Sequence, residues 1–169
     1  MTLLAIPGNP ATFPYVLTSA RALSDSNSAQ SVFGVSATVT SSTLYELIAD
    51  IYLTATSGGT AASVGFSLGG TATYTAIRLL AMSARSGTSL ATDAANTIQK
   101  VLTSASNTLV VPSNTNWYKR IFLHGVVSVN AGGTLTPQVT WSAAPGGAPS
   151  VDVGSFIRLT PFKNSGMWA

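Results

Sequence analysis

The segment Gly133–Ser142, with the sequence GTLTPQVTWS, indicates the fold most clearly. Leu135, Val139 and Trp141 alternate with polar residues, and this two-residue period is typical of a strand that buries one face. Pro137 lies on the apolar side. Because proline has no N–H to donate, we expect an edge strand or a bulge there. The segment therefore predicts an antiparallel strand with one polar face.

A longer strand is predicted immediately before this segment, over residues 117–129. At ~3.3 Å per residue it would span roughly 40 Å. One of its faces is aliphatic, whereas the other is amphipathic rather than polar, which indicates contact with another subunit. The aliphatic positions are Ile121, Leu123, Val127 and Val129, and the amphipathic ones are Tyr118, Arg120, Phe122, His124 and Val126.

Alternating apolar runs separated by glycine-rich turns continue outward along the chain. The residues expected on one face of a strand over 32–40 are Phe33, Val35, Ala37 and Val39. Further strands are expected over 15–23, 63–68, 71–82 and 155–162. Glycine pairs such as Gly69-Gly70 permit the positive φ that tight hairpin turns require. Some eight to ten such strands predict an all-β fold, an antiparallel β-sandwich of the jelly-roll type.

Two segments fit more than one secondary structure. Residues 43–46 match a helix capping box, and apolar residues follow them at helical spacing. Residues 43–53 also alternate, and their β-branched and aromatic content favours a strand. Residues 88–107 fit either a short helix or a loop containing a strand, and the sequence does not decide between them.

Charged residues are unusually scarce in this chain. They make up 8% of the 169 residues, whereas about 25% is usual in globular domains. Hydrophobic residues reach 46%, and 22 serines and 22 threonines supply most of the polarity. A surface with so little charge is poorly solvated when bare. We therefore expect much of it to be buried against other chains.

The first 14 residues combine prolines with apolar side chains. Pro7, Pro10 and Pro14 cannot continue a helix or a central strand, and a disordered terminus is one interpretation. The apolar residues favour an extended arm that lies on a neighbouring subunit. These residues are Leu3, Leu4, Ile6 and Phe13. We accordingly divide the chain into an N-terminal arm, residues 1–14, and one β-sandwich domain, residues 15–169.

The residue types that ligand sites require are few and scattered. Eight Lys and Arg residues form no basic stripe, so we expect no binding to nucleic acid. With no cysteine and one histidine, His124, we expect neither a metal site nor a cofactor. Glu46 and Asp50 would lie roughly 13 Å apart on a strand, which is too far for a glycosidase pair. The N-terminal residues resemble neither a signal peptide nor a membrane span, so no membrane partner is expected.

One motif suggests hydrolase chemistry. Gly65–Gly69 matches the G-x-S-x-G nucleophile elbow, and Asp93 and His124 follow in the order that α/β-hydrolases use. The elbow needs a buried parallel strand before it and a helix after it, and the flanking residues predict neither. A serine hydrolase centred on Ser67 is therefore a remote alternative, and we expect that the protein is not an enzyme.

A series of short motifs runs through residues 24–169. In chain order they are Ser28–Gly34, Leu44–Glu46, Gly69–Thr73, Asn130–Thr134, Ser142–Gly147, Gly154–Phe156 and Gly166–Ala169. As an ordered set they resemble a family of small tailed-bacteriophage virion proteins and the globular tips of related phage fibres. The resemblance implies a β-sandwich, usually trimeric, that is displayed on the virion.

Within this resemblance, a capsid decoration (cement) protein is the function we expect, because no coiled-coil shaft or repeat precedes the globular part. Such a protein would form a homotrimer, bind the major capsid protein or other virion proteins, and stabilise the head by bridging capsid subunits. It would be made in the host cytoplasm and lie on the outer surface of the phage head. The alternative is the receptor-binding head domain of a tail or head fibre, with host-surface glycan as its ligand.

The residues expected at the assembly contacts are apolar, aromatic or cationic, as is usual at oligomer interfaces. Trp117–Arg120 would also suit stacking against glycan. The expected contact residues are Leu3, Leu4, Ile6, Phe13, Trp117, Tyr118, Arg120, Phe122 and Trp168.

Overall fold

In a computed structural model of the protein, two antiparallel sheets form a β-sandwich, so the all-β prediction is confirmed. The structure describes residues 13–55, 60–84, 99–114 and 118–162. Within these ranges no helix is long and apolar enough to cross a membrane. The strands are β1 (Phe13–Val16), β2 (Arg21–Ala22), β3 (Gln30–Ser31), β4 (Ala37–Val39), β5 (Thr43–Thr54), β6 (Ala62–Gly69), β7 (Tyr74–Ala84), β8 (Gln99–Leu102), β9 (Thr108–Asn114), β10 (Lys119–Val129), β11 (Gly133–Trp141), β12 (Ser150–Val151) and β13 (Phe156–Pro161).

The larger sheet is organised around β10. This strand is antiparallel to β5 on one side and to β7 on the other, and the sheet runs in the order β1-β13-β5-β10-β7-β8. The short strands β12 and β2 extend it beside the end of β5. The alternation predicted for 117–129 is confirmed, because the aliphatic positions of β10 are buried and those between them face outward.

The smaller sheet has β11 near its centre. Strands β6 and β9 lie on one side of β11, and β3 and β4 on the other, so β11 is not an edge strand. The carbonyl oxygen of Pro137 accepts a hydrogen bond from the Val32 amide at 2.9 Å. Because N and O of one strand residue point to the same side, the Pro137 nitrogen also faces the interval between β3 and β4. The irregularity predicted at Pro137 is therefore found opposite it, as the interruption between β3 and β4.

The core lies between the two sheets. Its largest fully buried side chains come from both of them, which is why neither sheet is stable with its inner face exposed. They include Leu47, Ile51, Leu53, Phe66, Ile77, Leu79, Leu102, Ile121, Leu123 and Leu135.

Three sequence expectations are resolved or corrected in the described residues. Residues 43–54 form one strand, so the helix alternative is wrong and the strand prediction is confirmed. Residues 99–102 form β8, whereas residues 88–98 lie outside the described ranges. The single strand predicted over 32–40 is wrong. Only residues 37–39 are a strand, and Val35 is 45% exposed.

Two residues of the predicted arm fall within the described part of the chain. Phe13 and Pro14, which the sequence division placed in the arm, lie in β1 opposite Leu159 and Arg158 of β13. Residues 1–12, which include Leu3, Leu4 and Ile6, lie outside the described residues.

We predict that Leu123→Ala lowers the free energy of unfolding by about 2–5 kcal/mol, because it opens a cavity at a fully buried position of the central strand. Ser128→Ala, at an outward position of the same strand, is the control and should cost under ~1 kcal/mol. Urea unfolding at one fixed protein concentration measures both. Equal losses of unfolding free energy in the two variants would show that the inward side chains of β10 do not form part of the core.

A second prediction concerns alkaline pH. The Tyr74 hydroxyl is buried and has no hydrogen-bond partner among the described residues, and burial raises the pKa of Tyr74 from 10.0 to about 12. This group therefore contributes stability that is complete below the ordinary pKa and is lost as pH rises through the folded-state pKa. As the pH rises from the ordinary pKa of 10.0 to the folded-state pKa of about 12, we expect Tyr74→Phe to become more stable relative to the unmodified protein. Parallel stability curves for the two proteins would contradict this.

Candidate assembly face

The outer surface of the larger sheet, here called the assembly face, consists of the side chains that point away from the core. Alternation along each strand places them there, since directly opposed residues share a face. Large apolar side chains are prominent on this face, and those that are 40% exposed or more are Val16, Leu44, Leu80 and Val101. A large exposed apolar patch on a protein surface usually marks a site of interaction with another molecule.

Strand register arranges these side chains in rows across the sheet. One row runs across six strands and reads Val16, Phe156, Asp50, Phe122, Met82 and Gln99. The next row reads Pro14, Arg158, Ile48, His124, Leu80 and Val101. At ~4.8 Å between strands, each row spans roughly 24 Å. The face is thus an apolar band interrupted by a few ionised groups.

An ion pair occupies the middle of this band. Arg120 Nε donates to Asp50 Oδ1 at 2.8 Å, and Arg120 Nη2 donates to Asp50 Oδ2 at 2.5 Å. The Tyr52 hydroxyl donates to Asp50 Oδ2 at 3.1 Å, and the guanidinium lies 5.2 Å from the centre of the Tyr52 ring. This bidentate, stacked geometry suits arginine and not lysine. Asp50 is buried even though it points outward.

The pKa shifts in this cluster have local causes. Hydrogen bonding to Asp50 raises the pKa of Arg120, so the guanidinium keeps its charge. Burial raises the pKa of Tyr52, and the neighbouring Asp50 carboxylate adds to that effect. Tyr52 therefore remains a neutral hydrogen-bond donor at physiological pH. The two ionised groups of this cluster, Asp50 and Arg120, are therefore paired with each other.

The second polar cluster on the face is weaker. His124 Nε2 lies 3.4 Å from Glu46 Oε1, and Arg158 Nη2 lies 3.5 Å from Glu46 Oε2. His124 and Arg158 are about half exposed, and pairs of this kind contribute about 0–1 kcal/mol at most. They place charge beside the apolar band without holding the sheet together.

Tyr118 lies just before β10, at one end of the sheet, and is 43% exposed. Its hydroxyl donates to Asp152 Oδ2 at 2.9 Å, and this hydrogen bond raises the pKa of Tyr118. The next residue, Lys119, is buried instead, with its Nζ 3.2 Å from the Ala62 carbonyl oxygen and 5.8 Å from the Trp141 ring centre.

The structure brings some of the predicted contact residues together. Arg120 and Phe122 lie on the assembly face, and Tyr118 lies at its end. The predicted contacts outside the described residues are Leu3, Leu4, Ile6, Trp117 and Trp168, and the side chain of Phe13 is also outside them.

Several residues of the face were not predicted as contacts. Asp50 and Tyr52 come from β5, and Leu80 and Met82 from β7. The second face of residues 43–53 could have revealed Ile48, Asp50 and Tyr52 once the segment was assigned as a strand. Leu80 and Met82 carried no such signal, because only the register with β10 places them beside it.

The hydrolase motif does not form a nucleophile elbow. Ser67 lies within the continuous strand β6 of the smaller sheet and is buried opposite Gln138. His124 faces outward from the larger sheet, on the opposite side of the sandwich. Asp93 lies outside the described residues. In the described ranges, no three His, Asp or Glu side chains are grouped to hold a metal ion.

Comparison with known proteins found no matching family model and no matching curated protein.

We predict that Arg120→Met destabilises the protein by about 3 kcal/mol, because it leaves the Asp50 carboxylate buried without its cation. The double variant Asp50→Leu/Arg120→Met leaves no lone charge and should recover most of that loss. Urea unfolding of both variants at equal protein concentration measures the difference. If the double variant is as unstable as the single one, the loss of stability comes from the packing of the arginine side chain and not from the unpaired carboxylate.

Proposed function

We propose that this chain is a structural protein of a tailed-phage virion, specifically a capsid decoration (cement) protein that forms a homotrimer and bridges capsid subunits. The observation that carries the proposal is the assembly face, a largely apolar surface whose Asp50–Arg120 ion pair is satisfied within the chain. In this proposal the protein lies on the outer surface of the phage head, with itself and the major capsid protein as partners.

The size of the face fits a protein–protein interface. Its rows span roughly 24 Å, and the outward residues of β10 extend roughly 27 Å along the strand. The product, ~650 Å², is an upper bound because β1, β8 and β13 are shorter than β10, and side-chain relief and neighbouring loops would add area toward the ~800 Å² per partner of a stable interface. Burying apolar area at ~25 cal/mol per Å² would stabilise such a contact, and repetition over many copies would stabilise a shell.

The face also suits association with a second copy. The Asp50 and Glu46 carboxylates are paired with Arg120 and Arg158, whereas Arg78, outward on β7 opposite Val126, donates to the Ile77 carbonyl oxygen. Docking therefore buries the Asp50 and Arg120 charges as a pair, which avoids the cost of burying either one alone. The scarcity of charge in the whole sequence, 8%, supports the same conclusion.

A second candidate function is a receptor-binding fibre head. The observation that favours it is the exposed ring of Tyr118 beside the carboxylate of Asp152, a pairing of the kind that can stack on and hydrogen-bond a sugar. In that case the ligand would be host-surface glycan, and the same trimer would be displayed at the end of a fibre.

The oligomer prediction uses two matched leucines. We expect the purified protein to be a trimer by light scattering at micromolar concentration, and Leu80→Asp to convert it to monomer by placing a charge in the apolar band. Leu80 is 40% exposed, so the monomer should stay folded by circular dichroism. Leu109→Asp is the control, since Leu109 is 43% exposed but lies on β9 of the other sheet. A monomeric unmodified protein, or equal effects of both substitutions, would contradict the proposal.

The location on the virion separates the two candidate functions. Antibody labelling and quantitative mass spectrometry of purified virions should find hundreds of copies spread over the head. A few copies at a fibre tip, together with binding of the isolated protein to glycan that Tyr118→Ala abolishes, would replace the decoration function with the receptor-binding one.

A further inference from the structure

An apolar groove opens between the two sheets at the edge formed by β1. It encloses about 100 Å³ and its lining is almost entirely apolar. The rings of Tyr15 and Phe33 meet edge to face in its wall, with their centres 5.5 Å apart. The groove is lined by Tyr15, Phe33, Val35, Ser36, Ala37, Leu135, Pro137, Ile157 and Leu159.

The groove exists because the smaller sheet is interrupted at this edge. Ser31 pairs with Gln138, and Ala37 pairs with Leu135. Residues 32–36 therefore span only two residues of β11, so the segment bulges and leaves the space above Pro137 uncovered. Val35 stands at the rim, 45% exposed. A dry apolar space of this size is suited to an aliphatic side chain and not to ordered water.

The backbone of β1 limits how an occupant can bind. In the described part of the chain β1 is paired on one side only, with β13. The Leu17 amide donates to the Ser155 carbonyl oxygen, so by alternation Pro14 and Val16 present their backbone groups to the open edge. Pro14 has no N–H, so a strand added there loses a ladder hydrogen bond. The occupant must therefore bind mainly through side chains.

We propose that the groove of one copy binds residues 3–6 of a second copy, with Leu4 or Ile6 as the inserted side chain. This segment, Leu-Leu-Ala-Ile, is wholly apolar. Seven residue steps separate Ile6 from Phe13, which allows a reach of up to ~23 Å from β1. Insertion into the groove of the same copy is the competing arrangement.

The exchange extends the proposed function and rests on the self-association that it includes. Each copy carries both the inserted segment and the groove, so binding is head-to-tail, and such contacts close into a ring when the rotation permits. In a trimer, the exchange would add a contact at the β1 edge to the contacts made by the assembly face.

Disulfide trapping tests the exchange directly, because the chain contains no cysteine. Two singly substituted proteins, Leu4→Cys and Val35→Cys, are mixed, allowed to exchange subunits and oxidised. A disulfide needs Cα atoms about 4.4–6.8 Å apart, so a cross-linked pair reports that residue 4 of one copy lies at the groove of another. Leu4→Cys mixed with Leu109→Cys is the control, since Leu109 has similar exposure on the other sheet.

We expect the Val35→Cys mixture to give a cross-linked dimer at several times the yield of the control. Equal yields in the two mixtures would overturn the proposal, as would the absence of any cross-link. So would cross-linking only within single chains of a Leu4→Cys/Val35→Cys double variant at high dilution. Light scattering on the same samples measures the trimer independently. If the protein is a trimer but no cross-link forms, the exchange is wrong and the proposed function is not contradicted.

Discussion

Strand β10 is paired along its length with β5 on one side and β7 on the other, and this double pairing governs both faces of the larger sheet. A slip of one residue would exchange every inward side chain for an outward one. Such a slip would expose Ile121 and Leu123 and bury His124, at a large cost in free energy. The core and the assembly face are therefore two consequences of one register.

The Asp50–Arg120 pair is a polar element inside an otherwise apolar band. A buried pair of this type adds little net stability compared with apolar residues of the same volume, because both charges lose their hydration. Its value is geometric. The carboxylate accepts from the guanidinium and from the Tyr52 hydroxyl, so three side chains on two strands are held in one arrangement. A face built this way is apolar enough to dock and still has a defined orientation.

Two motifs of the series that suggested a phage protein lie where the chain crosses between the sheets. Gly69–Thr73 joins β6 to β7, and Asn130–Thr134 joins β10 to β11. The two crossings lie side by side. The Thr71 amide donates to the Thr134 carbonyl oxygen, and the Asn130 amide to that of Thr73. Gly70 has φ of +107°, and a Cβ there would collide with the Thr134 carbonyl oxygen. These motifs therefore indicate the fold first and the function only through it.

The sequence by itself determined which segments are strands wherever one face is buried and the other solvated, as in β10 and β11, because alternation records that environment residue by residue. It did not determine which strands are neighbours. The row from Phe156 through Asp50 to Phe122 joins residues more than a hundred positions apart in the chain. Pro137 shows the same limit, since its sequence signals an irregularity but not that the gap lies in the partner strand. Pairing is decided by packing of the whole core, so the assembly face and the groove could be seen only in the tertiary structure.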